Sequence, residues 1–253
     1  MGKIAFITGA TSGIGLATAH AFADLNIDLI LCGRREEKLN ELKTILGQKV
    51  KVTTLCFDIR DNDRVKNAVD SLSENWKQIN ILVNNAGNAH GLSPIQDGEI
   101  EDWDAMIDGN VKGLLYVSKA IIPFLMITKG HIVNLSSVAG KQTYANGAVY
   151  CASKKAVEAI SEGMRLDLTP HGIKVTNIAP GAVETEFSMI RFKGDKTKAV
   201  KVYEGFTPLS AKDVADAIVY AISAPEHVTI ADLTIYPSAQ SSPTTIHRNK
   251  KNV

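Results

Sequence analysis

Short apolar runs alternate with longer amphipathic stretches from the start of the chain: KIAFI, IGLATAHAFADL, DLILC, EEKLNELKTIL and KVTTLCF follow one another with little between them. Runs of the first kind read as strands and stretches of the second as helices, so the rhythm is βαβαβ. It continues through INILV, a helical stretch from about Trp103 to Met126, the strand GHIVNL, a helix starting near Val149 and the strand IKVTNI. These strands are apolar on both faces, as parallel strands covered by helices on each side must be. The expected class is therefore α/β: a doubly wound, mainly parallel sheet of about seven strands with helices on both faces. Ser210 is placed to cap a later helix, AKDVADAIVYAIS, and DLTIY supplies a last strand.

The 253 residues are expected to form a single domain, 1–253, with 45% apolar and 22% charged residues arguing against extended disorder. A net charge of +1 gives no reason to expect nucleic acid or an anionic membrane as partner. Cys32, Cys56 and Cys151 form no CxxC pair and leave an odd thiol, which suits the reducing cytoplasm. The amino terminus enters a strand pattern at once, so no signal peptide is expected. The most apolar stretch, GLLYVSKAIIPFLMI, is interrupted by Lys119 and reads as too short to cross a bilayer. Six scattered histidines include no HExxH and no ligand-spaced cluster, so no metal is expected.

Two connections are longer than a tight turn requires, residues 84 to 100 and 179 to 209. Both follow strands, so both should emerge at the carboxyl edge of the sheet, where open α/β folds bind ligands. The segment about 182–209 reads as a substrate loop, and about 237–253 as a polar C-terminal tail.

After the first strand, TGATSGIG leads straight into a helix. Glycines at Gly9, Gly13 and Gly15 let the backbone turn tightly, and a helix amino terminus presents unpaired N–H groups to an anion, so the turn reads as a dinucleotide cradle, with an idle glycine-rich turn the other reading. The end of the second strand faces the adenosine ribose, and an NAD site would carry an acid there. The chain reads LCGRREEK: Gly33 stands at the acidic position, and Arg34 and Arg35 offer forks suited to a 2′-phosphate, which favours NADP. The other reading is that the arginines open a solvated helix and are neutralised by Glu36 and Glu37. Asp58 either hydrogen-bonds the adenine edge or opens a turn.

In VYCASKKA, Tyr150 and Lys154 stand four apart on one helical face. An ammonium there could favour phenolate and lower a pKa of about 10. By itself YxxxK carries little weight, since six tyrosines produce it by chance in about half of such chains. Cys151, turned about 100° away, reads as a core thiol.

Taken together and in order, TGATSGIG, NNAG at 84–87, Asn110, NLSS at 134–137, YxxxK at 150–154 and PGAVET at 180–185 resemble the short-chain dehydrogenase/reductase family over nearly the whole chain. The resemblance implies a single-domain Rossmann fold and nicotinamide-dependent hydride transfer. It implies that Tyr150 is the general acid or base, that Lys154 lowers its pKa and holds the nicotinamide ribose, and that Ser137 hydrogen-bonds the substrate oxygen, with neighbouring Ser136 the competing candidate. Asn110 would bind a water joining Lys154 to solvent, or else satisfy a backbone group. Cofactor contacts are implied at Gly9, Thr11, Ser12, Gly13, Ile14, Gly15, Arg34, Arg35, Asp58, Asn84, Ala86, Gly87, Tyr150, Lys154, Pro180, Gly181, Val183 and Thr185. The second Asn of NNAG is expected to tie strands together. The family also implies a homotetramer, with the long helix and the helix after Tyr150 buried between subunits.

GRREEKLNELK, VETEFSMIRFKGD and the ending around HR resemble, more narrowly, the NADP-dependent 3-hydroxy acid dehydrogenases acting on serine and allo-threonine. The substrate is therefore expected to be a small 3-hydroxy acid, in contact with Ser137, Tyr150 and Arg191, whose fork could grip a carboxylate. Arg191, Lys193, Lys196 and Lys198 could instead form only a solvated lid. A broad carbonyl reductase, a 3-oxoacyl-carrier-protein reductase and a cofactor-binding regulator without turnover are the alternatives.

Overall fold

The computed structural model describes residues 2–249. In chain order its elements are β1 (Ile4–Thr8), α1 (Gly13–Asp24), β2 (Asp28–Gly33), α2 (Glu36–Leu46), β3 (Val52–Cys56), α3 (Asn62–Asp70), β4 (Ile79–Asn84), α4 (Ile100–Ile107), α5 (Gly113–Thr128), β5 (His131–Leu135), α6 (Val138–Lys141), α7 (Ala148–Leu168), β6 (Lys174–Pro180), β7 (Val183–Glu184), α8 (Phe187–Arg191), α9 (Lys196–Lys201), β8 (Leu209–Ser210), α10 (Ala211–Ile222) and β9 (Asp232–Ile235). Seven strands form one parallel sheet in the order β3-β2-β1-β4-β5-β6-β9. Strand order reverses between β1 and β4, which opens a crevice at their carboxyl ends.

Side chains along a strand alternate between faces, and here both faces are dry. Ala5, Ile7, Leu29, Leu31, Ile81 and Val83 join one core with Phe22 of α1 and Val214, Ile218 and Ile222 of α10. Their neighbours Ile4, Phe6, Ile30, Cys32 and Leu82 join the other, with Val65 and Val69 of α3 and Val117, Ile121 and Leu125 of α5. The four-residue spacing of the α5 and α10 triplets puts each on one helical stripe. Ser210 caps α10 in a capping box with Asp213.

The structure departs from the sequence expectations in three places. The long helix runs further, Ile100–Thr128, and is continuous for 29 residues, so by length and apolarity it could span a bilayer. The expectation that it is too short is corrected, because it rested on the central apolar stretch alone. Within the run, Asp108–Lys112 is a π-turn that carries Asn110, a wider turn of the kind that accompanies functional sites. Secondly, the 182–209 segment is structured: β7 pairs with β8, and α8 and α9 lie between them. Thirdly, the tail folds back onto its own chain as far as it is described. Gln240 bridges Ile246, Arg248 donates to the Glu204 and Val202 carbonyls, and the Asn249 N–H donates to the Gly205 carbonyl. Residues 250–253 of the expected tail lie outside the described residues.

Candidate active site

A cleft of about 690 Å³ runs along the carboxyl ends of β1, β4, β5 and β6, lined from Gly9 to Arg191 and closed on one side by Pro243, Thr244 and Ile246. At one end is the glycine turn. Gly9 and Gly13 have φ of +65° and +52°, a region costly for other residues. A Cβ on Gly15 would stand 2.4 Å from the Gly9 carbonyl oxygen. Ser12 precedes α1 without capping it, and the first turn of the helix has no acid, so its N–H groups face the cleft without a side-chain acceptor. The turn can present these N–H groups to an anion, and Gly9, Thr11, Ser12, Gly13 and Ile14 all line the cleft beside it.

Thr8, which sequence reasoning passed over, organises the next strand end. Its hydroxyl donates to the Val83 carbonyl and accepts from the N–H groups of Asn85 and Ala86. Asn85 Nδ2 donates to the carbonyls of Thr8 and Gly9, the strand tie expected of the second Asn. Asn84 was expected beside the cofactor, and the structure corrects this. As the last residue of β4 its side chain points into the protein, donating to Ser118 Oγ and Asn134 Oδ1 at 2.9 Å each, and it does not line the cleft. Ala86 and Gly87 do line it, and a Cβ on Gly87 would lie 2.8 Å from Asn110 Oδ1 and 3.5 Å from Lys154 Nζ.

Gly33, Arg34, Arg35 and Asp58 also line the cleft. Asp58 closes a turn: it accepts from the Arg60 backbone N–H and is forked by the Arg60 guanidinium, whose bonds outweigh partial burial and hold its carboxyl below the usual range. Arg34 lies 3.6 Å from the same carboxylate. The turn reading of Asp58 is thus the one the side chain adopts.

The chemical centre is assembled from β5, α6 and α7. Ser137 is the N-cap of α6, with its Oγ accepting from the Ala139 N–H. Ser136, the competing candidate, is occupied structurally by donating to the Lys154 carbonyl. Tyr150 and Lys154 lie one turn apart on α7, and both are buried. Lys154 Nζ donates to the Leu135 carbonyl at 2.9 Å, and burial brings its pKa down to about 8. Burial also pushes the Tyr150 phenol far above its ordinary value, the nearby Tyr144 phenol adds to this, and the hydroxyl of Ser137 pulls the other way. In the protein by itself, loss of solvation outweighs the Ser137 hydroxyl and the Arg191 charge that favour the phenolate. Asn110 accepts from the Asn88 N–H and donates to the Asn88 carbonyl and Ser153 Oγ, so both amide hydrogens are engaged in a clamp. The backbone-satisfying reading describes its side chain.

Arg191 enters from α8. Its Nη2 donates to the Tyr144 hydroxyl at 3.0 Å and its Nε to the Gly91 carbonyl at 3.3 Å, and its guanidinium carbon lies 5.5 Å from the centre of the Tyr150 ring. Phe187 packs on the same ring, with centroids 5.8 Å apart. Neither Tyr144 nor Phe187 was expected, since both lie in connections without periodicity. Cys151 is buried beside Tyr150 in the same cluster. Around the cleft's rim, Pro180 accepts a long bond from Ser137, Gly181 leaves room for Gln240, and Val183 accepts from the Tyr203 hydroxyl. Thr185 lies so close to Gly13 that a Cβ there would meet it at 3.3 Å.

The family model described as short chain dehydrogenase matches residues 3–196. Among characterised proteins the chain is 45% identical over 243 residues to sulfoacetaldehyde reductase 2 of Chromohalobacter salexigens, covering 95% of this chain and 96% of that protein. It is 41% identical over 249 residues to the NADP-dependent 3-hydroxy acid dehydrogenase YdfG of Salmonella typhi, covering 97% and 100%. The closed form of a serine dehydrogenase complexed with NADP+ superposes with a TM-score of 0.91 at 40% identity, covering 97% of this chain and all of that one.

Proposed function

The chain belongs to the short-chain dehydrogenase/reductase family and is an NADP-dependent oxidoreductase acting on CH–OH groups, and from that premise we propose that its substrate is a small hydroxy acid whose anionic group stands one carbon from the reacting carbon. The observation that carries this reading is Arg191, a guanidinium held by Tyr144 beside the Tyr150 ring. Serine, allo-threonine and 3-hydroxypropionate place a carboxylate at that separation from the alcohol carbon. Sulfoacetaldehyde places a sulfonate there, so the relative acting on it fits the same reading. An oxygen anion of either kind accepts two N–H bonds from one guanidinium.

Residues of the glycine turn, Arg34 and Arg35 would hold NADP, with Lys154 at its nicotinamide ribose; bound there, the cofactor gives or takes the hydride. Tyr150 supplies or removes the proton of the substrate oxygen. A phenol is protonated at neutral pH and burial raises its pKa further, so the resting side chain can give a proton in carbonyl reduction. Ser137, fixed at the α6 N-cap, donates to the same oxygen and stabilises charge there. Lys154 opposes the burial penalty on a developing phenolate once Tyr150 has given up its proton. Phe187 and Tyr144 screen the ring from water.

Four-fold assembly belongs to the same proposal. Only a third of the most apolar window of Ile100–Thr128 is buried within the chain, and Leu115, Ile127 and, on α7, Leu166 are exposed. Free thiols at Cys32, Cys56 and Cys151 suit work in the cytoplasm.

The test is a panel of serine, allo-threonine, 3-hydroxypropionate, 2-hydroxyethanesulfonate and 1-propanol, run with NADP and with NAD. Arg191→Ala is expected to raise the KM of the acids about 10- to 100-fold while leaving the neutral alcohol nearly unchanged. Equal effects on both classes would refute the anion grip. Tyr150→Phe is expected to lower turnover by at least about 100-fold while NADPH still binds.

A further inference from the structure

One carboxylate links the cofactor end of the cleft to the substrate end. Glu186, 151 positions after Arg35, accepts from Arg35 Nη1 at 2.9 Å, and its second oxygen lies 3.5 Å from Lys38 Nζ. The rest of the Arg35 fork is engaged as well, since Nε and Nη2 donate to Thr11 Oγ1 at 3.1 and 3.0 Å. Thr11 belongs to the glycine turn, and Gly33 leaves it room: a Cβ at position 33 would stand 3.0 Å from Thr11 Cγ2. Arg35 is thus held at the end of β2 by Thr11, with an anion already on its fork.

A 2′-phosphate and the Glu186 carboxylate seek the same cations, and two anions at hydrogen-bond range of one guanidinium repel each other. The carboxylate is the weaker claimant. Both partners are substantially exposed, at 39% and 50%, so the pair is screened and worth little. Glu186 also directly precedes α8, a helix of five residues that carries Phe187 at one end and Arg191 at the other. Anything that moves Glu186 therefore acts on the two side chains packed against the Tyr150 ring.

We infer that Glu186 is a specificity-determining and positioning residue: its carboxylate stands in for the cofactor's 2′-phosphate on Arg35 and Lys38, and displacement by that phosphate resets the helix that presents Phe187 and Arg191 to the substrate. The inference rests on the reading of Arg35 as a 2′-phosphate cation. It gives the protein a means of sensing which dinucleotide is bound, since a cofactor ending in a free ribose hydroxyl leaves Glu186 where it is.

The probes are adenosine 2′,5′-bisphosphate and AMP, which differ only in the 2′-phosphate, measured by calorimetry on the full chain. Glu186→Gln removes the competing charge at nearly constant size, so the bisphosphate should bind about 2- to 5-fold more tightly and AMP unchanged. In the native protein the bisphosphate, but not AMP, should change the rate of protease cleavage within residues 186–206, and Glu186→Gln should abolish that difference. Weaker bisphosphate binding by Glu186→Gln, or an equal change for AMP, overturns the inference and leaves Glu186 a surface partner only. Arg35→Ala separates this from the underlying reading: if it leaves the preference for bisphosphate over AMP intact, Arg35 is not the phosphate cation at all.

Discussion

At the scale of single residues, buried polar groups show how much of this chain's chemistry is set by surroundings. Lys154 and Tyr150 are both forced toward their neutral forms by burial, a cost that a chain selected only for stability would avoid. His131 shows the same physics away from the cleft. Its Nε2 lies 2.7 Å from Thr176 Oγ1, and because that hydroxyl gives its only hydrogen to the Ile230 carbonyl, the ring must donate to it. Burial first, then Lys174 and Lys3, push its pKa down to about 4 from 6.5. An unfolded chain therefore takes up this proton at a higher pH than the folded one. The neutral ring contributes about 3 kcal/mol, present in full above pH 6.5 and lost as pH falls toward 4. Urea unfolding of the native protein should show that decline between pH 6.5 and 4.5, and His131→Gln should flatten it. Identical pH profiles for the two proteins would exclude the assignment.

Among the elements, the contact between α6 and α7 governs how Ser137 meets Tyr150. Three features hold it. Ser136 Oγ donates to the Lys154 carbonyl, Lys141 pairs with Glu158 of α7 and Asp232 of β9, and Gly140 has no side chain to keep the helices apart. A Cβ at position 140 would stand 2.7 Å from both the Lys154 carbonyl oxygen and Ser136 Oγ, so the helices must separate. Gly140→Ala is therefore expected to lower kcat by roughly 100-fold, the scale of an ångström's misplacement, with NADP binding little changed. A variant with native kcat would show that the Ser137–Tyr150 geometry does not depend on this contact. Element types were readable because strand and helix periods differ, but this contact was not: nothing in the string NLSSVAGK says which neighbour Gly140 approaches.

For the whole molecule, the segments beyond the sheet decide the shape of the cleft. Gln240 accepts from the Ala182 N–H, and Arg248 reaches back to residues 202–206, stacking on Phe206. Ending the chain at Ser238 should speed protease cleavage near residue 200 and lower kcat/KM. The number of chains per particle by light scattering should be unchanged, because those contacts lie within one chain. A truncated protein with native protease resistance would refute the bracing role, and a smaller number of chains per particle would move the tail to a subunit contact. The sequence by itself determined the strand and helix order, the two-sided burial of the sheet, the glycine turn and the pairing of Tyr150 with Lys154, since each follows from local periodicity or from spacing within one element. Only the tertiary structure decided that Asn84 turns inward, that Tyr144 and Phe187 join the site, and that Glu186 meets Arg35. Those outcomes depend on contacts between residues up to 151 positions apart, and on the balance of burial against charge where they meet, which no local pattern encodes.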